Sequence, residues 1–123
     1  MSDYKKLLVW QKSHALAVDG IKIAVAIRAA HFAALKNQII RAAASIPTNI
    51  VEGSGQDSEK DFRRFLRYSL NSAYEIEYHW LLAHDVEIVK TQDYEKQTKA
   101  AKEVQKMLRG LIEHLRDKDE DEP

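Results

Sequence analysis

Ala101, Val104, Leu108, Leu111 and Leu115 follow one another at steps of three and four, with lysines and glutamates in the gaps. That spacing brings the apolar side chains onto one stripe of an α-helix, and it recurs along most of the chain. With only two prolines and four glycines, a β architecture has little from which to build its turns. The period therefore predicts an all-α fold. Its length of 123 residues suits one domain, and a hydrophobic fraction of 45% suits an ordinary core.

Four helices are expected, over about 8–29, 34–52, 58–85 and 92–116. Together they would make an antiparallel up-down four-helix bundle of residues 1–116. The third opens at Ser58-Glu-Lys-Asp61, where a serine oxygen can accept from an orphan amide and the acids sit at the positive end of the helix. Phe62, Phe65, Leu66, Ser69, Ala73, Ile76, Trp80 and Ala83 then share a face. Leu35, Ile39, Ala42, Ala43, Ile46 and Ile50 line the second helix, and Gly53 suits a left-handed residue at its end. Gly110 weakens the last helix slightly without breaking its pattern. Asp117 to Pro123 is too charged to pack and is expected as a disordered acidic tail.

The first helix is the ambiguous one. Ile21 to Ile27 alternates with period two, as a strand would. Helical spacing instead sorts the segment into two opposite stripes: Leu16, Gly20, Ile23 and Ile27 on one, His14, Val18, Ile21 and Val25 on the other. The helix is preferred because the alanine-rich flanks continue its pattern in both directions. A small bundle covers one side of such a helix, so Val18, Ile21 and Val25 are expected at an interface between copies in a homo-oligomer.

The second helix carries a fault. Pro47 has no amide hydrogen and its ring collides with the carbonyl four residues back, so a kink is expected near Ala43. Gln38, Arg41, Ser45, Asn49 and Glu52 form a polar stripe around it. One reading is a structural joint, in which Arg41, Ser45, Asn49 and Glu52 satisfy the opened backbone and reach across to the third helix, with Glu75 as a partner for Arg41. The other is a pocket in which Arg41 recognises an anion and Glu52 holds it. The joint is preferred, because buried polar groups must be satisfied whatever the function.

These same residues carry a resemblance. Leu8-Val-Trp-Gln-Lys12, Gln38-Ile-Ile-Arg-Ala-Ala43, Ser45-Ile-Pro-Thr-Asn-Ile-Val-Glu-Gly53, Phe62-Arg-Arg-Phe-Leu66 and Ser72-Ala-Tyr-Glu75 resemble the proteins encoded in intervening sequences of bacterial 23S rRNA genes, over about residues 7–85. The resemblance implies a four-helix bundle assembled as a ring-like homopentamer, with an unsettled molecular role for which association with ribosomal RNA has been proposed. An accessory protein of diversity-generating retroelements is structurally similar, forms such a pentamer, and binds nucleic acid and a reverse transcriptase. One departure is the link Ala29-Ala-His-Phe-Ala-Ala34, where the family often has an aromatic-proline and acidic link.

Function is less legible than fold. Lys plus Arg and Asp plus Glu are both 19, a balance that argues against a dedicated polyanion binder. There is no cysteine for a disulfide, a thiolate nucleophile or a Cys-ligated zinc. The longest stretch free of charged side chains, Ala42 to Val51, falls short of a membrane span, and the N-terminus has no secretory pattern, so a cytoplasmic protein is expected with no membrane partner. No Glu-x-x-His pair occurs, so a di-iron bundle is not expected, and neither a metal nor a cofactor is assigned. The chain is expected to be a non-enzymatic scaffold or adaptor with a protein partner. The alternative is an RNA- or DNA-binding ring using Arg63, Arg64 and Arg67, one turn of guanidinium groups beside Tyr68. Lys5, Lys6 and Lys12 would add to it in a ring.

Overall fold

The structure, a computed structural model, describes residues 3–28 and 30–120. It is all-α: α1 (Leu8–Val25), α2 (Ala33–Ser54), α3 (Glu59–Asp85) and α4 (Thr91–Glu120), with single 3-10 turns at Tyr4–Lys6 and Ala30–Phe32 and no strand among the described residues. Helix α1 packs against α2 and α4, and α3 also packs against α2 and α4. The backbones of α1 and α3 do not come into contact, nor do those of α2 and α4, so each of these pairs lies across a diagonal of the bundle.

The apolar stripes close on one core. Ile39, Ile46 and Ile50 of α2, Leu66, Ile76 and Trp80 of α3, and Val104 and Leu108 of α4 are essentially inaccessible to solvent. Each such side chain contributes about 1.5–3 kcal/mol relative to exposure. Trp80 reaches across the diagonal, and its ring lies 3.4 Å from where a β-carbon on Gly20 of α1 would sit. In α1 the inner stripe is buried at Leu16 and Gly20 and half-buried at Ile23, and Ile27, just past the end of the helix, is buried too. The helical period thus overrides the alternation of Ile21 to Ile27.

Helix ends follow local chemistry. Ser58 Oγ accepts from the Asp61 amide at 3.1 Å, so the cap expected of α3 is formed. The other end of α3 closes on Glu87, whose φ of 66° is left-handed, with the Ile88 amide bonded to the Ala83 carbonyl at 3.0 Å. A left-handed stop was expected at Gly53 instead. Gly53 is in fact helical, and no described glycine has a positive φ. Helix α1 stops at Val25, short of the expected 29, and a 3-10 turn takes up the link. Helix α4 runs on to Glu120, past the expected 116. Charge kept those last residues from packing, since Asp117 and Lys118 are exposed, but it does not prevent backbone bonding, and Lys118 Nζ meets Glu59 Oε1 at 2.9 Å. The remainder of the expected tail, 121–123, lies outside the described residues.

Gly53 serves close approach. A β-carbon there would sit 2.8 Å from Phe65 Cβ and 2.9 Å from Phe62 Cδ1, so glycine sets how near α2 comes to α3. At Gly110 nothing lies within 4 Å. The two glycines make opposite predictions. Gly53→Ala gains about 1 kcal/mol of helix propensity and loses about 1–3 kcal/mol to overpacking, a net destabilisation. Gly110→Ala keeps the gain of up to about 1 kcal/mol. Urea unfolding of both variants checks this; a Gly53→Ala protein as stable as wild type would show that α2 is free to move off α3.

Candidate functional site

Around Pro47, Ser45 and Asn49 of the stripe are hydrogen-bonded to the α2 backbone, and Ser45 also to α3. Helix α2 continues through the proline, which is buried. Ser45 Oγ meets the Ala42 carbonyl at 3.0 Å, Thr48 Oγ1 the Ala44 carbonyl at 2.7 Å, and Asn49 Nδ2 the Ser45 carbonyl at 2.8 Å. From α3, Ser69 Oγ donates to the Ile46 carbonyl at 2.8 Å in a fully buried site, and Ser72 meets Ser45 hydroxyl to hydroxyl. Hydroxyls and amides therefore add bonds to the carbonyls on either side of Ala43, the residue whose usual partner amide the proline lacks.

One turn away, Arg41 and Glu75 come together as expected, Nη2 to Oε2 at 3.8 Å. Both side chains are exposed, so the pair is worth little by itself. His79 Nε2 lies closer to the same carboxylate oxygen, at 3.0 Å, while its Nδ1 is buried without a partner among the described residues. Glu52 is not part of the constellation; its side chain is exposed and joins no hydrogen bond or ion pair among the described residues. One surface cleft, of about 390 Å³, opens away from this cluster and is lined by Ile23, Ile27, Ile88 and Val89.

The structure brings Arg41 to Glu75 and sets Ser45 and Asn49 on the α2 backbone, beside residues that sequence reasoning missed. Ser69 and Ser72 sit on the inner stripe of α3, where a serine reads as a small core residue, so only the neighbouring proline hinted that it would be used. Gln105 of α4 was missed too: its Nε2 bonds the Ala73 carbonyl at 3.1 Å and Glu77 Oε1 at 2.7 Å.

The arginines of α3 do not act as one group. Arg64 bonds Asp61 and the Tyr68 hydroxyl, each at 3.5 Å, and its guanidinium lies 4.9 Å from the centre of the Phe65 ring. The bond to Tyr68 above all, with the charge of Asp61, holds its pKa above the ordinary value. Arg67 is exposed and has no partner among the described residues. Arg63 is half-buried. Lys6 and Lys12 are in ion pairs with Asp3 and Glu103, at 3.7 and 3.5 Å.

The outer stripe of α1 is open: Leu8 is 58% exposed, Val18 37% and Val25 56%, with Ile21 half-buried. His14 is exposed and stacks on Trp10, ring centres 4.8 Å apart.

Comparison with known proteins adds the family. The family described as 23S rRNA-intervening sequence protein matches residues 5–110. The chain belongs to that family. Among solved structures, a protein of unknown function from the S23 ribosomal protein family of Bacteroides thetaiotaomicron is 28% identical, with a TM-score of 0.80 over 85% of this chain and 98% of that one. No curated protein matches.

The match to the intervening-sequence family takes in the whole joint, from Arg41 through Glu75. If the joint is structural, its buried bond matters and its exposed end does not. Ser69→Ala is expected to cost about 1 kcal/mol, since it strips a buried carbonyl of its extra donor, whereas Glu52→Ala stays within about 0.5 kcal/mol. Denaturant unfolding compares them, and equal losses would return Glu52 to the network.

Proposed function

We propose that this intervening-sequence protein is a non-enzymatic scaffold or adaptor, built as an antiparallel up-down bundle and working in the cytoplasm as a homo-oligomer. The observation that carries it is the open outer stripe of α1. Leu8, Val18 and Val25 face solvent along a helix whose opposite side is fully engaged in the core. Isolated apolar residues on a surface are ordinary, but a row of them on one helix face marks a place where another surface docks.

Several pairings support the antiparallel course. Lys12 meets Glu103 and Asp19 meets Lys96, so partners climb α1 as they descend α4. Arg41 with Glu75, and Ile46 with Ser69, run the same way between α2 and α3. The missing amide of Pro47, with the hydroxyls gathered around it, supports a bend of α2 at that point. A closed ring is our reading of the assembly, five copies being the number that the family resemblance implies.

Light scattering decides the central point. The mass in solution should be that of several chains, and a double variant Val18→Asp and Val25→Asp should fall to one chain with its helical circular dichroism retained. A wild-type protein that scatters as a single chain removes the assembly reading.

A second reading is favoured by Arg67, exposed with no partner among the described residues, beside Arg64 and Tyr68. Ribosomal RNA, or another nucleic acid, would be bound by these arginines repeated around a ring, each copy adding weak phosphate contacts. Retardation of 23S rRNA fragments should then weaken steeply with salt and disappear when Arg63, Arg64 and Arg67 are all changed to alanine. Absence of any retardation by wild type at low salt leaves the scaffold with a protein partner.

A further inference from the structure

Large apolar side chains reach solvent in only two places among the described residues. One is the outer stripe of α1, at Leu8, Val18 and Val25; the other is α3 and the turn after it, at Tyr68, Tyr74, Tyr78, Leu81 and Val86. Helices α2 and α4 contribute none. Since α1 and α3 are diagonal in the bundle, the two surfaces point away from each other on opposite corners of the molecule.

Their stripes match in pitch. Leu8, Gln11, Ala15, Val18, Lys22 and Val25 are all exposed and step alternately by three and four. Arg67, Asn71, Tyr74, Tyr78, Leu81 and Asp85 are exposed with the same two steps. That is the spacing with which two helices interlock along a shared seam.

Their charges are opposite. Residues 3–28 hold five basic side chains, Lys5, Lys6, Lys12, Lys22 and Arg28, against Asp3 and Asp19. Residues 74–87 hold Glu75, Glu77, Asp85 and Glu87 and neither lysine nor arginine. Pairing α1 with α1 would set basic against basic, and pairing the 74–87 half of α3 with itself would set acidic against acidic, whereas pairing α1 with that half sets basic against acidic. Like-charge juxtaposition is how an interface rejects a partner.

We infer that the α1 stripe of one copy docks on the Tyr74–Tyr78–Leu81 face of α3 in the next copy, head to tail. This rests on the assembly reading above and names the surface that completes it. An interface joining two different faces repeats from copy to copy, and it closes into a ring or continues as a fibre according to the angle between the faces. The arginines Arg63 and Arg64 lie beyond the acidic half of α3 and stay outside the seam.

The chain has no cysteine, which gives a direct test. Single variants Val18→Cys and Tyr78→Cys, and a chain carrying both, are treated with a short bismaleimide cross-linker; Val25→Cys and Leu81→Cys form a second pair that covers a different register. The expected result is little cross-linking for each single variant and a covalent ladder of two, three and more chains for the double variants. Dimers from a lone Val18→Cys or Val25→Cys would mean that α1 meets α1. No ladder from either double variant, while light scattering still reports several chains, would mean that α3 is not the partner. Either outcome overturns this pairing and leaves the assembly standing, whereas a single-chain mass for wild type removes both.

Discussion

A bundle of four helices can cover one side of each of its members, and α1 is apolar on two. That constraint governs the rest of the architecture. Leu16, Gly20 and Ile27 turn inward, where Gly20 leaves the room that the Trp80 ring occupies from across the diagonal. Leu8, Val18 and Val25 are left outward because no other helix of the same chain is free to reach them. Fully burying an exposed valine or leucine is worth about 1.5–3 kcal/mol, and Leu8, Val18 and Val25, at 58%, 37% and 56% exposed, would each recover part of that against another surface.

The α2–α3 contact obeys a different logic. There the sequence uses small and helix-breaking residues so that two helices come close. An interior proline costs a helix about 3 kcal/mol, and around it side-chain bonds from Ser45, Thr48, Asn49 and Ser69 fall on the Ala42, Ala44, Ser45 and Ile46 carbonyls, the neighbours of the Ala43 carbonyl that the proline leaves without its amide. Further along, Gly53 lets the Phe62 and Phe65 side chains lie against the α2 backbone. These features lie within one stretch of α2, and the resemblance to the intervening-sequence family was carried by that same stretch. Its recognisable motif therefore coincides with the close α2–α3 contact.

The division between what the sequence disclosed and what it concealed has a physical cause. Periodicity is a property of every turn of a helix, so the four helices, the inner faces and the doubly apolar character of α1 were readable from spacing alone. Helix ends depend on single residues, and there the reading slipped. Gly53 looked like a left-handed stop because glycine is favoured in that conformation, while the residue that adopts it, Glu87, carries no such mark. The polar joint was half visible. Charged and amide residues announce themselves on a stripe, but Ser69 and Ser72 do not, since a serine on an inner face is indistinguishable from a small core residue until its partner carbonyl is known. Glu52 was assigned by spacing, and spacing places a side chain on a face without saying that anything lies within its reach.

A net charge of zero invites the conclusion that electrostatics is idle, yet the zero is a sum over unlike regions. Residues 3–28 carry five basic side chains against two acidic ones, and residues 74–87 four acidic side chains and no lysine or arginine. At physiological ionic strength, exposed charges are screened beyond about 8 Å, so this polarity has little reach into solution. It acts when surfaces are nearly touching, where it selects an orientation more than it adds affinity. Apolar stripes alone would let α1 pair with any similar helix, including its own copy. Opposed charges around two matching stripes favour the arrangement in which unlike corners meet, and unlike corners are what a head-to-tail assembly requires.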